Sequence, residues 1–518
     1  MTDEAQNKSA PRAIWRLEAD SEDATIAIAD DLAGLLKQGD VVTLAGDLGA
    51  GKTTFARALM RRLAKDPGLE APSPTYTLAQ AYECAFGRIV HADFYRIASP
   101  AELAEFGWDE VKEGALALVE WAERAPKAFE GDRLDVRLSF AETDNRDARS
   151  ITISGYGAFA PRLATFKSLR EFLREAGWGD ARRQFLQGDA SSRAYETLTQ
   201  PSGEKAILMI SPERPDGPPI RFGKSYSAIA RLAENVKAFV AIDEALAGQG
   251  FSAPKIYARD LSAGLLIIED LGREGVVEER RPIPERYLEA VDVLAQLHAR
   301  KLPDTAPIEG AGPYRIPPYD LDALLVEVEL LLDWYVARFG KGMIASGARA
   351  TFVNIWRRVL NDVATQPPTW TLRDYHSPNL IWLPDRKGAR RIGIIDFQDC
   401  VMGHPAYDVV SLAQDARVHV PDELEMKLVA HYARRRKELE PDFDMASFAR
   451  SYAVLGAQRA TKILGIFARL DQRDGKPQYL AHTPRVEQYL KKSLRHPALK
   501  EIEAWYAVHL PTIFGSEA

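Results

Sequence analysis

Cysteine is nearly missing from this chain. Cys84 and Cys400 are the only two among 518 residues. They stand far apart and outside any CxxC or Cys/His spacing, so a disulfide framework and a structural zinc site are both excluded. Long apolar runs are missing too. No uncharged stretch reaches the ~18 residues a membrane span needs, and the opening MTDEAQNKSAPRAIW has no apolar secretory core. Charge of one sign is equally scarce. Lys and Arg number 67 against 74 Asp and Glu, a net charge of -7, which gives no bulk attraction to nucleic acid or anionic lipid. There is no internal repeat and no low-complexity tract. These absences leave an expectation of a globular, cytoplasmic chain with no membrane partner. At this length one core stops growing, so two or more domains are expected.

What is present falls into two styles of text. Residues 1–12 read as disordered. From 14 to 155, apolar strand-like runs (VVTLAGDL, RIVHADFYRI, GALALVEWAE, RLDVRLSF, RSITISGY) alternate with amphipathic stretches such as TTFARALMRRLAK. That alternation predicts an α/β sheet with parallel strands. GYGAFAPRLATF has glycine, proline and no clear period, and 156–166 is expected to be a linker. Over 167–512 the text changes. Short antiparallel strands come first, in RQFLQGDASSRAYETLTQPSGEKAILMISP and APKIYARDLSAGLLIIEDLG. Long helical patterns follow, interrupted by a strand pair in NLIWL and RIGIIDF. This predicts a two-lobed α+β domain with a cleft between a small sheet and a large helical lobe.

The first chemical motif is GDLGAGKTT, Gly46 to Thr54. The spacing Gly46-x4-Gly51-Lys52-Thr53, after a strand and opening a helix, is a P-loop. Its glycines let backbone N–H groups converge on phosphate oxygens, Lys52 reaches the β/γ-phosphates of ATP, and Thr53 offers a hydroxyl to Mg²⁺. An acidic partner for the metal is needed at a neighbouring strand end. Glu120 and Asp93 both qualify, the alternative for each being a surface carboxylate at a strand exit. SPTYTL places Thr75 and Thr77 where a γ-phosphate-sensing switch would lie. The ordered set GDLGAGKTT, SPTYTL, HADFYR and LVEWAER resembles the TsaE family, P-loop ATPases that support synthesis of threonylcarbamoyladenosine in transfer RNA. The resemblance implies ATP contact by Gly46, Asp47, Gly49, Ala50, Gly51, Lys52, Thr53 and Thr54. It further implies Mg²⁺ ligation by Thr53 and Glu120, and a catalytic or sensing role for Asp93. It implies a TsaB–TsaD-like protein complex as partner, with transfer RNA engaged only indirectly.

The second motif is dispersed. In LRDYHSPNL, Asp374 and Asn379 are five residues apart, and IGIIDFQD ends an apolar strand in Asp396, seventeen residues beyond Asn379. This is the layout of kinase-type phosphoryl transfer: a carboxylate orients the acceptor hydroxyl while an amide and a second carboxylate hold Mg²⁺. Taken singly, Asp374 and Asp396 would be turn residues. His376 is expected to hold the loop by hydrogen bonds, and His298 to be a packed core histidine. QGDASSRAY would cover the phosphates, and LLIIEDLG would form the strand and hinge beside adenine. GDASSRAY, RDYHSPNL, IDFQD with GHPAYDVVSL, and QRATKILGIFARL together resemble the aminoglycoside phosphotransferase-like kinases, within them the AmgK-type anomeric kinases of N-acetylmuramate and N-acetylglucosamine.

That resemblance implies Asp374 as base, Asn379 and Asp396 as Mg²⁺ ligands, and a small-molecule amino sugar as acceptor in cell-wall recycling. Gln398 and Asp399 lie near and have no assigned role. The sequence departs from the pattern twice. Leu372-Arg373 replaces His-Gly before the aspartate, and Met209 stands where a nucleotide-binding lysine is expected, leaving Lys205 or Arg193 to supply that charge. Arg459 and Lys462, three apart on a helix, would face inward to an acidic acceptor or else outward to solvent. A cationic acceptor would want clustered acids, for which Asp408 and Asp415 are available. RRRKELE reads as a solvated helix end. Three rival readings stay open: a nucleotide-dependent binding module at the N-terminus, a kinase for choline, homoserine or an aminoglycoside, and an inactive kinase scaffold.

Overall fold

The computed structural model describes residues 13–186, 193–213, 217–340 and 344–514. The expected disorder over 1–12, and residues 187–192 of the expected phosphate-covering turn, lie outside the described residues. The chain divides into two compact units, Met1–Gly179 and Asp180–Ala518.

The first unit is built on seven strands: β1 (Ala13–Ala19), β2 (Val41–Ala45), β3 (Ala79–Cys84), β4 (Gly87–Asp93), β5 (Leu116–Glu120), β6 (Arg133–Phe140) and β7 (Arg149–Tyr156), in the order β1-β7-β6-β2-β5-β4-β3. The neighbours β6, β2, β5 and β4 run parallel, as the strand–helix alternation predicts. β3, β7 and β1 add antiparallel edges, because the short β3–β4 and β6–β7 connections can only close hairpins. Both faces of β5 are covered. Leu116 and Leu118 enter one apolar layer, with Phe55, Leu59 and Leu163. Ala117 and Val119 enter the other, with Phe94, Trp108 and Phe129. A strand buried on both sides must be apolar throughout, which is why LALVE lacks alternation. The first layer comes from helices α1 (Glu22–Leu32), α2 (Lys52–Ala64) and α3 (Phe159–Glu175).

Helix α3 corrects the linker expected at 156–166. Tyr156 ends β7, Gly157 turns at φ 55°, and the helix begins at Phe159. Pro161 falls in the first turn, where a missing N–H costs nothing. The apolar period becomes visible only when the window runs on to 175: Phe159, Leu163, Phe166, Leu169 and Leu173 are all buried. Phe166 meets Trp15 of β1 edge-on at 5.8 Å, and Arg162 pairs with Asp40 at 2.7 Å. The unit therefore closes near Gly179.

The second unit starts with an antiparallel sheet of β8 (Arg182–Leu186), β9 (Ala194–Thr199), β10 (Lys205–Ile210), β11 (Ile256–Asp260) and β12 (Leu265–Glu269), ordered β11-β12-β10-β9-β8. Helix α4 (Val236–Gly248) is capped by Asn235, whose side chain accepts from Lys237 N at 3.0 Å. The helical part holds α5 (Pro284–His298), α6 (Leu321–Leu330), α7 (Ser346–Ala364), α8 (Ala406–Ala413), α9 (Asp422–Leu439), α10 (Met445–Gln472) and α11 (Thr483–Leu494). The 28-residue α10 packs against α6, α8 and α11, and so forms the spine of this part. The expected strand pair is β13 (Leu380–Trp382) and β14 (Ile392–Ile394), with Leu380 opposite Ile394. RRRKELE is not fully solvated. Arg436 is buried, donating to Tyr432 Oη at 2.9 Å and lying 4.8 Å from the Phe443 ring centre, because α9 turns that face onto aromatic rings.

Candidate functional site

In the first unit the loop between β2 and α2 takes positive φ at Gly46, Gly49 and Gly51. Gly46 has φ 140°, and a Cβ there would stand 2.1 Å from the Leu138 carbonyl oxygen, so only glycine fits. Lys52 opens α2. Its ammonium lies over the loop, donating to the carbonyls of Gly46 (2.8 Å) and Asp47 (2.9 Å), 3.7 Å from the Trp121 ring centre. Burial pulls the Lys52 ammonium below its usual range, and Glu120, Glu123, Asp93 and Asp47 oppose that pull. Arg149 donates to the Ala50 carbonyl at 3.0 Å and fixes the loop crest. Thr54 faces a groove beside Arg57 and Arg61, away from the cradle.

Both acidic positions converge on this place. The Thr53 hydroxyl donates to Glu120 Oε2 at 2.9 Å, and His91 Nε2 lies 2.9 Å from Glu120 Oε1. Asp93, 4% exposed, accepts from Ser73 Oγ, from Thr75 Oγ1 at 2.8 Å and from Tyr95 N at 2.9 Å. SPTYTL is thus tied to the end of β4. Three groups escaped the sequence reading: Trp121, His91 and Ser73. Trp121 has φ 60°, a conformation that costs a bulky residue and recurs at functional sites.

In the second unit the segment Leu372–Asn379 is fixed at both ends by buried acids. Asp408 accepts from Leu372 N and Arg373 N, both at 2.8 Å, and Asp415 accepts from Ser377 N at 2.9 Å. Both acids are fully buried, which removes them as ligands for a cationic acceptor. Arg373 explains why glycine is usual before the aspartate: its φ is 64°. The arginine is held there by Glu327 at 2.5 Å and the Ala230 carbonyl at 3.0 Å. Asn379 Nδ2 donates to the Asp374 carbonyl at 2.9 Å and points to Asp396 Oδ2 at 3.4 Å. Gln398 donates to Asp396 Oδ1 at 2.7 Å, and Arg193 lies 3.6 Å from the same oxygen. Asp399 accepts from Ala233 N at 2.6 Å. Asp374, Asn379 and Asp396 therefore share one place, in a cleft of about 760 Å³.

The electrostatics separate the two carboxylates. Burial works to raise Asp374, but cations near it outweigh that and hold its carboxyl below the usual range. His376 is first among those cations, yet burial pushes its imidazole down to about 4. It is neutral at pH 7 and accepts from Arg417 at 3.1 Å, so Arg459, Lys462 and Arg373 carry the effect. Asp396 is raised by burial and then by Asp374. Both side chains remain open to the cleft, 35% and 41% exposed. Oxygen donors from one carboxylate and one amide suit Mg²⁺ shared with phosphates and water. Among the described residues no cluster of three His, Cys, Asp or Glu offers a protein cage for a metal.

The cleft roof is apolar. Ile207 and Ile268 line it, as do Glu269 to Gly272. Met209 is wholly buried and Phe239 packs on Phe397 at 4.9 Å. Lys205 sits exposed at the outer end of β10 and does not line the cleft, so it is removed as the replacement for the missing lysine. Arg193 lines the cleft. Arg459 and Lys462 line it too, but the Lys462 ammonium is engaged with Glu327 at 2.8 Å. His298 is a core histidine, 2.9 Å from Tyr432 Oη. Arg417 and Glu327 went unnoticed, since neither carries a local motif.

A strand–loop–helix phosphate cradle and a bilobal cleft with paired carboxylates define a chain with two ATP-using enzymes, an ATPase and a phosphotransferase. The chain belongs to the threonylcarbamoyl adenosine biosynthesis protein TsaE family over residues 19–151 and to the phosphotransferase enzyme family, APH, over 182–449. It is 38% identical over 353 residues to the N-acetylmuramate/N-acetylglucosamine kinase of Caulobacter vibrioides, covering 66% of this chain and 95% of that one. It is 30% identical to the kinase of the same name from Pseudomonas aeruginosa, covering 64% and 91%. It is 37% identical over 132 residues to the tRNA threonylcarbamoyladenosine biosynthesis protein TsaE of Rickettsia conorii, covering 26% and 75%. No helix among the described residues is long and apolar enough to cross a membrane.

Proposed function

We propose that the first unit hydrolyses ATP in support of threonylcarbamoyladenosine synthesis in transfer RNA, acting on a TsaB–TsaD-like protein complex in the cytoplasm. Thr53 and Glu120 would hold Mg²⁺, their oxygens being 2.9 Å apart. Lys52 would leave the loop carbonyls for the β/γ-phosphates. Asp93, with Thr75 and Ser73 on it, would report the γ-phosphate to the 73–78 loop. Lys52→Ala tests this reading: joint loss of ATP turnover and of partner-dependent modification supports it, and full modification without turnover replaces the enzyme with a nucleotide-dependent binding module.

We propose that the second unit transfers the γ-phosphoryl group of ATP to the anomeric hydroxyl of N-acetylmuramate or N-acetylglucosamine. The observation that carries it is the convergence of Asp374, Asn379 and Asp396 in one cleft, in a stretch that spans nearly the whole length of the sugar kinase relatives. Asp374 orients the acceptor hydroxyl and takes its proton, and the cations around it keep it ionised to do so. Asn379 and Asp396 would hold Mg²⁺, which when bound neutralises charge on the phosphates. The main chain of 269–272 would meet adenine. Incubation with Mg-ATP and a sugar panel tests it: sugar 1-phosphate is expected, and product from choline or kanamycin alone overturns it.

A further inference from the structure

Helix α10 turns one stripe into the cleft, with Arg459 and Lys462 nearest Asp374 and Ile463, Ile466 and Phe467 beyond them. The two cations are not equivalent. Lys462 is paired with Glu327, which Arg373 also engages. Arg459 is 5% exposed, its Nε has no hydrogen-bond partner, and no carboxylate lies within 4 Å of it among the described residues. Its guanidinium lies 5.5 Å from the Tyr407 ring centre. Asp374 and Asp415 act on Arg459 from a distance, but a buried guanidinium with no carboxylate in contact is incompletely paired, which is costly unless something completes it. Arg417 lines the same wall, and it and Arg459 both act on His376. Asp408 and Asp415 are not available to Arg459, since both are committed to the backbone.

We propose that Arg459 is an anion socket for a carboxylate on the acceptor, so that this phosphotransferase separates an acidic amino sugar from its neutral counterpart. The inference rests on the sugar-kinase reading and names the residues that choose within it. The place favours a carboxylate over the transferring phosphoryl group. The donor side is marked by Arg193, Asn379 and Asp396, whereas Arg459 shares its wall with the apolar stripe, which suits the methyl groups of acetyl and lactyl substituents.

The test compares N-acetylmuramate, which carries a lactyl carboxylate, with N-acetylglucosamine, which lacks it, using the full chain and Mg-ATP. Arg459→Gln is expected to raise KM for N-acetylmuramate about 10- to 100-fold, the range of one charge-assisted contact. Arg459 also helps keep Asp374 ionised, which affects both sugars alike. The selective readout is therefore the ratio of kcat/KM for N-acetylmuramate to that for N-acetylglucosamine, which should fall by the same factor, and Arg459→Lys should restore part of it. An equal fall for both sugars with that ratio unchanged makes Arg459 only a phosphoryl clamp or a support of Asp374, and overturns the socket; so does no change. Should the variants fail to fold, the parent chain decides by calorimetric titration with N-acetylmuramate and its neutral carboxamide. Binding at least about tenfold weaker for the carboxamide is expected, from the same range. Equal binding, or none of either, overturns the socket. A parent chain that phosphorylates neither sugar but shows carboxylate-dependent binding sinks the kinase reading and leaves the socket standing.

Discussion

The two phosphate sites of this chain are built by opposite means. The first is contiguous. Nine residues, Gly46 to Thr54, supply the cradle, and their backbone does most of the holding. The second is convergent. Asp374, Asn379 and Asp396 are supported by Glu327, Asp408, Asp415 and Arg459, spread over more than a hundred residues of sequence and four helices or loops. A contiguous site depends on one loop conformation, so its weak point is backbone freedom. A convergent site depends on many side-chain contacts, so its weak points are charge and burial.

The largest expected effect separates the two outright. Asp374→Asn should lower kcat for sugar phosphorylation by about 10²- to 10⁴-fold, the contribution of a positioned base, and leave ATP hydrolysis by the first unit unchanged. Lys52→Ala should do the reverse. The check is to assay both activities on both variants; loss of both in either one means the sites are not independent. Next comes the backbone. Gly46→Ala should destabilise the first unit by about 3 kcal/mol, because a Cβ would meet the Leu138 carbonyl and overpacking cannot relax against backbone. Loss of nucleotide binding should accompany it. Unchanged nucleotide affinity would show that the cradle tolerates what its geometry forbids.

The same contrast decides what could be read from the sequence. The P-loop was legible because its chemistry and its backbone demand sit in one word, and Glu120 and Asp93 followed from strand ends. Trp121 was not, since nothing in LVEWAE says that a tryptophan will adopt φ 60° under the lysine. In the second unit the grouping of Asp374, Asn379 and Asp396 was legible from spacing. Their supports were not, because Glu327 and Arg417 meet the loop only through the tertiary fold. Lys462 and Arg459 carried the same signal as inward-facing cations, and only burial and pairing tell them apart. The linker was misread because a proline in a first turn hides a helix from a short window.

Burial also sets a pH dependence peculiar to the second unit. Asp243 on α4 is 3% exposed, and its Oδ1 has no partner. Burial first, then Glu244 and Glu269, push its carboxyl up to about 8. A carboxyl raised in the folded state favours folding when protonated. Its contribution is full below the unfolded value near 4 and is lost as pH rises to about 8. The slope cannot exceed about 1.4 kcal/mol per pH unit. Asp243→Asn, which cannot ionise, should therefore stabilise the chain by about 2 kcal/mol at pH 8, an order-of-magnitude figure within that linkage bound, with the gain fading toward pH 4. Urea unfolding across this range measures it, and parallel curves for the two proteins would remove Asp243 as the source.

The smallest effect tests the missing lysine. Met209 is sealed in the core and Lys205 is exposed off the cleft, whereas Arg193 lines it beside Asp396. If Arg193 grips the nucleotide phosphates, Arg193→Ala should raise KM for ATP in sugar phosphorylation about tenfold, the worth of one charge-assisted contact near 1.4 kcal/mol. Lys205→Ala should change it less than about twofold, as for a surface substitution. The reverse order would mean that the charge reaches the phosphates from the strand after all. Equal and negligible effects would place the grip on the backbone, and the second site would then resemble the first more closely than its side chains suggest.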